Sequence, residues 1–175
     1  MAIFFTSDTH FGHGGARGLF RRPFATTALM DETMVAHWNA AVGPEDEIWH
    51  LGDFAVGRDV DWIETCLAEL NSEKHLIAGN NDKKRTRKAR GWASVSDYEE
   101  CLFGDRLFVL CHYPFRSWRK MDKGSINLHG HCHGRMKPLT RQIDVGVDAW
   151  EFRPVSLDGI LHNAQKRRRT APSGG

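Results

Sequence analysis

Cysteine is scarce in this sequence, and the cysteines that occur are not paired by spacing. Cys66, Cys101, Cys111 and Cys132 form neither a CxxC pair nor the pattern of a disulfide framework. We therefore expect reduced thiols and no disulfide bridge. This excludes a small disulfide-stabilised scaffold of the secreted type and favours a cytoplasmic protein.

Long apolar runs are also absent. No run approaches the roughly 18 residues that a membrane-spanning helix needs. The N-terminal residues include neither a basic region nor an apolar stretch of signal-peptide length. We expect a soluble protein that is not exported and has no membrane partner.

The sequence has no excess of one sign of charge, because 24 basic and 22 acidic residues leave a formal net charge of +2. This balance gives no strong overall preference for nucleic acid or for an anionic membrane. With 175 residues, 41% of them hydrophobic, the chain has room for one globular core. We expect a single domain over residues 1–165 and a basic, disordered tail over residues 166–175. The sequence indicates no oligomeric state.

The sequence does contain short apolar runs that end at polar residues. Residues 2–6 end at Ser7 and Asp8, whereas residues 47–51 and 74–78 are each followed by a glycine and then a polar residue. Runs of this kind are typical of buried strands that lead into loops.

Two helical patterns separate these runs, over residues 30–41 and 60–70. Alternation of strands and helices builds a parallel sheet, in which ligands gather outside the carboxyl ends of the strands. We expect the first helix to have its N-cap at Thr26 or Thr27 and to stop at Gly43. For the second helix, Asp61 and Glu64 predict a capping-box-like start.

The pattern changes after Gly91, where residues 98–103 and 106–111 flank a Gly-Asp turn and predict a hairpin. We therefore predict an α/β fold with a mixed, sheet-on-sheet core and outer helices. The remaining predicted elements are short strands at residues 126–128, 143–147 and 154–155 and a final helix from Ser156 to about residue 165.

Seven potential metal ligands lie in five short segments at these strand ends or in adjoining loops. Carboxylate, amide and imidazole groups bind divalent ions, and two such ions about 3.5 to 4 Å apart can clamp a phosphoryl group and generate a nucleophile. Residues two apart in an extended segment project to one side, so such pairs can point at one small volume. The candidate ligands are Asp8, His10, Asp53, Asn80, His112, His131 and His133.

Each ligand alone has an ordinary explanation. Asp8 could cap a turn, His112 could be a core histidine, and residues 131–133 could hold a single structural zinc ion. All seven occur in order at strand ends or adjoining loops, which favours a site for two metal ions. Asp53 suits the bridging position, because a carboxylate offers two oxygens and its charge offsets the repulsion between cations.

The ordered pattern Asp8-x-His10, Gly52-Asp53, Gly79-Asn80-x-Asp82, His112 and Gly130-His131-x-His133 resembles the calcineurin-like metallophosphoesterases. The resemblance extends to about Leu161, and the opening at residues 7–13 is similar to small bacterial and phage members. It implies a double β-sandwich of mixed sheets flanked by helices. It further implies that one ion takes Asp8, His10, Asp53 and His133, and the other Asp53, Asn80, His112 and His131.

One position departs from the family pattern. The family commonly has a histidine that approaches the leaving-group oxygen, where this chain has Asn81. An amide is not a general acid near neutral pH, so we expect another proton donor. His13 is the candidate, with a substrate hydroxyl or a metal-bound water as alternatives. In the family arrangement Asp82 would orient the missing histidine.

These observations predict a metal-dependent phosphoesterase in which a hydroxide held between two ions attacks phosphorus. Phosphodiesters are the predicted substrates, including cyclic or linear nucleotides, and the alternatives are a phosphomonoesterase or an idle binding module. Ligand type does not select the metal; we predict Mn²⁺, with Fe, Zn or Ni as alternatives. The basic residues at 83–90 predict a solvated helix face or, alternatively, a rim that attracts phosphate-bearing substrates or nucleic acid.

Overall fold

The computed structural model describes residues 1–137 and 139–170, with side chains described up to Gln165. In chain order the helices and strands are β1 (Ile3–Thr6), α1 (Ala16–Phe20), α2 (Thr27–Ala41), β2 (Glu47–His50), α3 (Val60–Glu69), β3 (Glu73–Ile77), α4 (Lys84–Lys88), β4 (Ser94–Ser96), β5 (Tyr98–Phe103), β6 (Arg106–Cys111), β7 (Ile126–His129), β8 (Gln142–Asp144), β9 (Val155–Ser156) and α5 (Leu157–Thr170). Short 3-10 turns lie at Met121–Lys123 and Val147–Ala149.

The first sheet has the strand order β4-β3-β2-β1-β9. Strands β1 to β4 are parallel, and β9 pairs with β1 in the antiparallel sense. The predicted parallel arrangement of the first three strands is confirmed. Strand β4 was not predicted, because Ser94, Val95 and Ser96 lie at an edge and present no buried apolar pattern.

The helices on this sheet begin at capping side chains. The predicted cap of α2 is confirmed at Thr26, whose hydroxyl accepts a hydrogen bond from the backbone N–H of Leu29. The predicted start of α3 at Asp61 is wrong, because the N-cap is Asp59, which accepts from the N–H of Trp62. Asp61 lies inside the first turn, where its charge suits the positive end of the helix dipole.

The second sheet has the order β5-β6-β7-β8, with an antiparallel hairpin followed by two parallel strands. The predicted hairpin is confirmed residue for residue. Strand β8 ends at Asp144 and so is shorter than the predicted 143–147. The backbone N–H of Val147 donates instead to the carbonyl of Ser7, which ties this segment to the end of β1.

The two sheets pack face to face, and helices cover the outer faces. Phe5 of β1 is fully buried against residues of the second sheet such as Leu110 and Ile143. On the other face of the first sheet, Ile48 packs with apolar residues of α2 and α3 such as Trp38. The predicted double β-sandwich of mixed sheets flanked by helices is confirmed.

The C-terminal helix continues to Thr170, past its predicted end near residue 165. Residues 171–175 lie outside the described residues, so the predicted disordered tail stays a prediction, as does the domain boundary. Within the described ranges, none of the helices combines the length and the apolar character needed to cross a bilayer.

Candidate metal centre

The carboxyl ends of the parallel strands bring the seven predicted ligands into one cluster. Ligand atoms of Asp8, His10 and His133 lie within 4.8 Å of one another, and so do those of Asp8, Asp53 and His112. The residues come from loops after β1, β2, β3, β6 and β7, which are spread over most of the sequence. The cluster therefore exists only when both sheets are assembled.

Asp53 lies between the two halves of the cluster. Its Oδ2 is 3.5 Å from Nε2 of His10 and 3.7 Å from Nε2 of His112. On the far side, Oδ1 of Asn80 lies 3.1 Å from Nε2 of His112 and 3.1 Å from Nδ1 of His131. This geometry places Asp53 where a carboxylate can contact two ions.

The backbone of the cluster is strained at most of the candidate ligands. Positive φ angles are uncommon for residues other than glycine and cost on the order of 1–3 kcal/mol each at strained sites. Five of the seven candidate ligands adopt them, namely Asp8 (56°), His10 (51°), Asp53 (59°), His131 (66°) and His133 (49°). Backbone strain concentrated on the residues of one cluster indicates a functional site.

Two glycines let the loops approach each other closely. A Cβ on Gly79 would lie 2.7 Å from the backbone nitrogen of Asp53 and would also overlap its carboxylate. A Cβ on Gly52, whose φ is +96°, would lie 2.6 Å from Nδ1 of His112. Since contacts below 3.0 Å to fixed atoms force displacement, these positions require glycine.

The electrostatics of the cluster fit a bound cation. Oδ1 of Asp8 and Nε2 of His10 are buried without a hydrogen-bond partner among the described residues. Burial raises the pKa of Asp8 and lowers the pKa of His10 to about 2, with Arg22 and His133 contributing to the second shift. Neutral imidazole is the form that binds metal, and a nearby cation stabilises a buried carboxylate as the anion. The donor set therefore suits divalent metal ions.

Hydrogen bonds outside the cluster fix the orientation of two of its histidines. Nδ1 of His112 lies 2.7 Å from the carbonyl oxygen of Leu51, and Nδ1 of His133 lies 2.7 Å from Oδ2 of Asp148. Each Nδ1 therefore carries the proton and donates it, so that Nε2 presents a lone pair to the cluster. This arrangement is typical of metal-binding histidines.

The sequence analysis did not identify Arg22, whose side chain links two separate parts of the hydrogen-bond network around the cluster. The residue as a whole is 4% exposed, and its side chain donates to the carbonyl oxygens of Asp8 and Thr9 and, through two nitrogens, to Asp148. Arg22 thus joins the loop after β1 to the carboxylate that orients His133. Asp148 carries a weaker signal of the same kind, since it directly follows the predicted strand at residues 143–147 and lies two residues after Gly146.

Aromatic side chains flank the cluster. The ring of Phe20, in α1, stacks on His133 with a centroid distance of 3.6 Å. On the other side, the ring of Tyr113 packs edge-on against His131 at 4.8 Å and is 45% exposed. Both rings restrict the orientation of imidazoles that the sequence predicts as ligands.

Asp82 and Asn81 occupy different positions in the loop after β3. The Asp82 carboxylate accepts hydrogen bonds from the N–H groups of Asp53, Phe54 and Gly79, and burial raises its pKa to about 6. It therefore holds two ligand-bearing loops together. Asn81 donates through its backbone N–H and its amide to the two carboxylate oxygens of Asp53, at 2.8 and 2.6 Å.

His13 is partly exposed and lies next to the cluster. Its Nδ1 is 3.2 Å from Nδ1 of His10, and the two rings stack at a centroid distance of 5.3 Å. Burial lowers the pKa of His13. If Nε2 of His10 faces the cluster, the Nδ1–H of His10 donates to Nδ1 of His13. In neutral His13 the proton then lies on Nε2.

The basic segment at residues 83–90 forms α4 and the turn after it. Arg87 pairs with Asp97, and Arg90 pairs with Glu64. Lys83 donates to the carbonyl of Asn80 at 3.2 Å. Two of these cations are thus paired with carboxylates, and Lys83 contacts the backbone of Asn80, one of the candidate ligands.

The sequence matches a known family over most of its length. The model of the Calcineurin-like phosphoesterase superfamily domain matches residues 1–148. This span contains all seven candidate ligands.

Individual proteins and a solved structure are also similar to this chain. The protein MJ1445 of Methanocaldococcus jannaschii is 29% identical over 172 aligned residues, covering 94% of this chain and 92% of that protein. The gene 66 protein of Mycobacterium phage D29 is 33% identical over 179 aligned positions, covering 85% of this chain and 88% of that protein. Among solved structures, AQ665 from Aquifex aeolicus superposes with a TM-score of 0.75 at 22% identity, covering 93% of this chain and 98% of that one. This last similarity supports the fold alone.

Proposed function

Because the chain belongs to the calcineurin-like phosphoesterase superfamily and is thus a phosphoesterase, we propose that it uses two divalent metal ions to hydrolyse phosphodiesters. When bound, such a pair of ions supplies an activated water and neutralises charge on the phosphoryl oxygens. The protein's own contribution is to hold the ligands in place, orient the substrate and deliver a proton to the leaving group.

The geometry supports two adjacent ion positions that share Asp53. The first would be held by Asp8, His10, Asp53 and His133, and the second by Asp53, Asn80, His112 and His131. The distances of 3.5 and 3.7 Å from Asp53 to histidines on either side support this division. Manganese is the proposed metal, and Fe, Zn and Ni are the alternatives to be tested.

The preference for diesters depends on Asn81. Its amide is neutral and is engaged with Asp53, so it supplies neither a proton nor a positive charge to a substrate. A diester carries one negative charge at neutral pH, whereas a monoester carries nearly two. A site that lacks an imidazolium at this position is therefore better matched to the diester, and nucleotide diesters are the proposed class.

His13 is the proposed proton donor for the leaving group. Its partial exposure leaves Nε2 available to a substrate. The ring donates from Nε2 after Nδ1 has taken up a proton from solvent, because the imidazolium, unlike the neutral imidazole, is an acid near neutral pH. His13→Gln should therefore slow the hydrolysis of esters with alkoxide leaving groups more than that of nitrophenyl esters, because nitrophenolate leaves without protonation. Equal losses with both leaving groups would instead assign the proton to a substrate hydroxyl or a metal-bound water.

The first experiment compares the hydrolysis of bis(p-nitrophenyl) phosphate and p-nitrophenyl phosphate after chelation and re-addition of single metals. We expect activity only with metal, a faster rate on the diester, and metal analysis that approaches two ions per chain. Asp53→Asn should lose both the activity and at least one ion. Unchanged turnover in Asp53→Asn would point to an idle binding module with a contaminating phosphatase.

The second experiment restores the missing imidazole. Asn81→His should raise the rate on p-nitrophenyl phosphate relative to the diester, because an imidazolium at this position supplies both charge and a proton. Asn81→Gln is the matched control and should leave the ratio of the two rates unchanged. If the unaltered chain already prefers the monoester, the phosphomonoesterase alternative is correct.

The reduced cysteines expected from the sequence and the nucleotide class of substrate agree with a cytoplasmic location, which we propose with the function. An assay of the native protein for bound metal and activity in the cytoplasmic fraction tests this directly.

A further inference from the structure

A second concave region lies at the end of the second sheet where β6, β7 and β8 begin. The candidate metal ligands lie at the opposite end, where these strands finish. This cavity has a volume of about 970 Å³, at the upper end of the range for small-molecule sites, about 300–1,000 Å³. Arg106 opens β6 and lines the cavity, whereas His112 directly follows the end of the same strand. At about 3.3 Å per residue, the cavity and His112 are about 20 Å apart, so a small substrate at the cluster does not reach it.

The lining of the cavity is strongly cationic. Arg106, Lys120, Lys123 and Arg141 contribute four positive charges, and Asp105 is the one carboxylate among the described residues of the lining. Across residues 1–137 and 139–165, none of the four cations forms an ion pair with a carboxylate. Four positive charges that outnumber the single carboxylate of the lining favour the binding of an anion.

Backbone hydrogen bonds order the loop that carries two of these cations. Lys120 and Arg141 adopt φ angles of 54° and 60°, which are uncommon for residues other than glycine. The carbonyl of Lys120 accepts hydrogen bonds from the N–H groups of Lys123 and Ser125, at 2.9 and 3.2 Å. These bonds close the loop that carries both lysines, which reduces the entropy lost on binding.

Arg141 is anchored on one side and unsatisfied on the other. Its Nη2 donates to the carbonyl of Met121 at 2.6 Å, which fixes the guanidinium at the wall of the cavity. Its Nε is buried and makes no hydrogen bond within the described part of the chain. A buried donor without an acceptor costs free energy, which an anionic oxygen would recover.

We propose that this cavity binds a small polyanion that carries two or more adjacent phosphate groups. Four converging cations exceed what a single phosphate neutralises, and the guanidinium of Arg141 suits phosphate oxygens. A small ligand is favoured over nucleic acid because Asp105 and the exposed Asp122 interrupt the positive surface. The overall net charge of +2 also gives little long-range attraction for a polynucleotide.

Calorimetric titration of the full chain with tripolyphosphate tests the proposal. The titration contains EDTA so that no metal ion draws the ligand to the metal cluster, and the result therefore does not depend on the proposed phosphodiesterase function. We expect one tripolyphosphate per chain. Arg106→Ala combined with Lys123→Ala should weaken binding at least about tenfold, because two charge-assisted hydrogen bonds are lost.

The matched control removes the same charge elsewhere. Lys88→Ala combined with Arg153→Ala alters two exposed cations outside the cavity and should retain the wild-type affinity. Lys123→Ala alone, in an exposed turn, provides a milder variant if the double variant does not fold, and it should show a smaller but measurable loss.

Three results would overturn the proposal. Tripolyphosphate that does not bind the unaltered chain would show that the cationic lining is not a ligand site. Equal weakening in the cavity variant and the control would show that the attraction is nonspecific. A single-stranded oligonucleotide that binds through Arg106 and Lys123 while tripolyphosphate does not would make the surface a nucleic-acid interface.

Discussion

The substitution Arg22→Leu tests the framework that supports the metal cluster. The guanidinium makes five hydrogen bonds, two to Asp148, one each to the carbonyls of Asp8 and Thr9, and one to the sulfur of Met30. Removal of one partner of a buried ion pair leaves the other charge uncompensated and costs about 3–5 kcal/mol. Because the side chains of Arg22 and Asp148 are 0% and 9% exposed, solvent recovers little of this loss.

The assay is urea unfolding followed by tryptophan fluorescence, in the presence of a chelator so that stability does not include metal binding. Arg22→Leu should lower the free energy of unfolding by about 3–5 kcal/mol. Arg22→Lys should have a free energy of unfolding between those of the unaltered chain and Arg22→Leu. An ammonium keeps the charge, but it does not bond Asp148 and both carbonyls at once. Arg21→Asn is the matched control, since Arg21 is exposed and Asn tolerates its left-handed backbone.

A double-mutant cycle identifies the cause of the loss. If the uncompensated charge of Asp148 dominates, Arg22→Leu combined with Asp148→Leu should cost less than the sum of the single substitutions. Metal affinity gives a second measurement, because loss of the carboxylate that orients His133 should weaken binding about 10- to 100-fold. A cost for Arg22→Leu no larger than that of Arg21→Asn would refute the reasoning.

The remaining predictions concern the close approach of Gly79 to Asp53 and the reactivity of the Cys66 thiol. Gly79→Ala should abolish metal binding, measured by calorimetry, because the new Cβ would lie 2.7 Å from the backbone nitrogen of Asp53; Gly14→Ala, which meets nothing within 4 Å, should bind normally. Burial raises the pKa of Cys66 to about 12, so at neutral pH it holds almost no thiolate and should resist iodoacetamide, whereas the less buried Cys132 should react first. Labelling of Cys66 before Cys132, followed by mass spectrometry, would contradict the second prediction.

Local sequence patterns were sufficient for much of the fold. The strands β1, β2 and β3 were predicted because each is an apolar run that stops at polar loop residues, and the hairpin of β5 and β6 because a Gly-Asp turn separates two such runs. The patterns failed where the local signal was weak. Strand β4 is short and exposed, and the N-cap of α3 lies two residues before the predicted one because both Asp59 and Asp61 suit a helix start.

The candidate site shows the same division. The seven candidate ligands could be picked out because polar residues that follow buried strands meet at one edge of a parallel sheet. The proximity of Asp53 to both His10 and His112 agrees with the predicted bridging position, although the ligand roles themselves stay a prediction. The pairing of Asp82 with three backbone N–H groups was not predictable, since it depends on how two loops pack.

The sequence by itself determined the order of the elements, the residue types available as ligands and the departure at Asn81, because these follow from local periodicity and from the chemistry of single side chains. Only the tertiary structure decided that Arg22 reaches Asp148 across 126 positions of the chain and that four cations meet in a cavity remote from the metal cluster. Contacts of this kind depend on which loops the assembled sheets bring together, and no short-range pattern in a sequence encodes that.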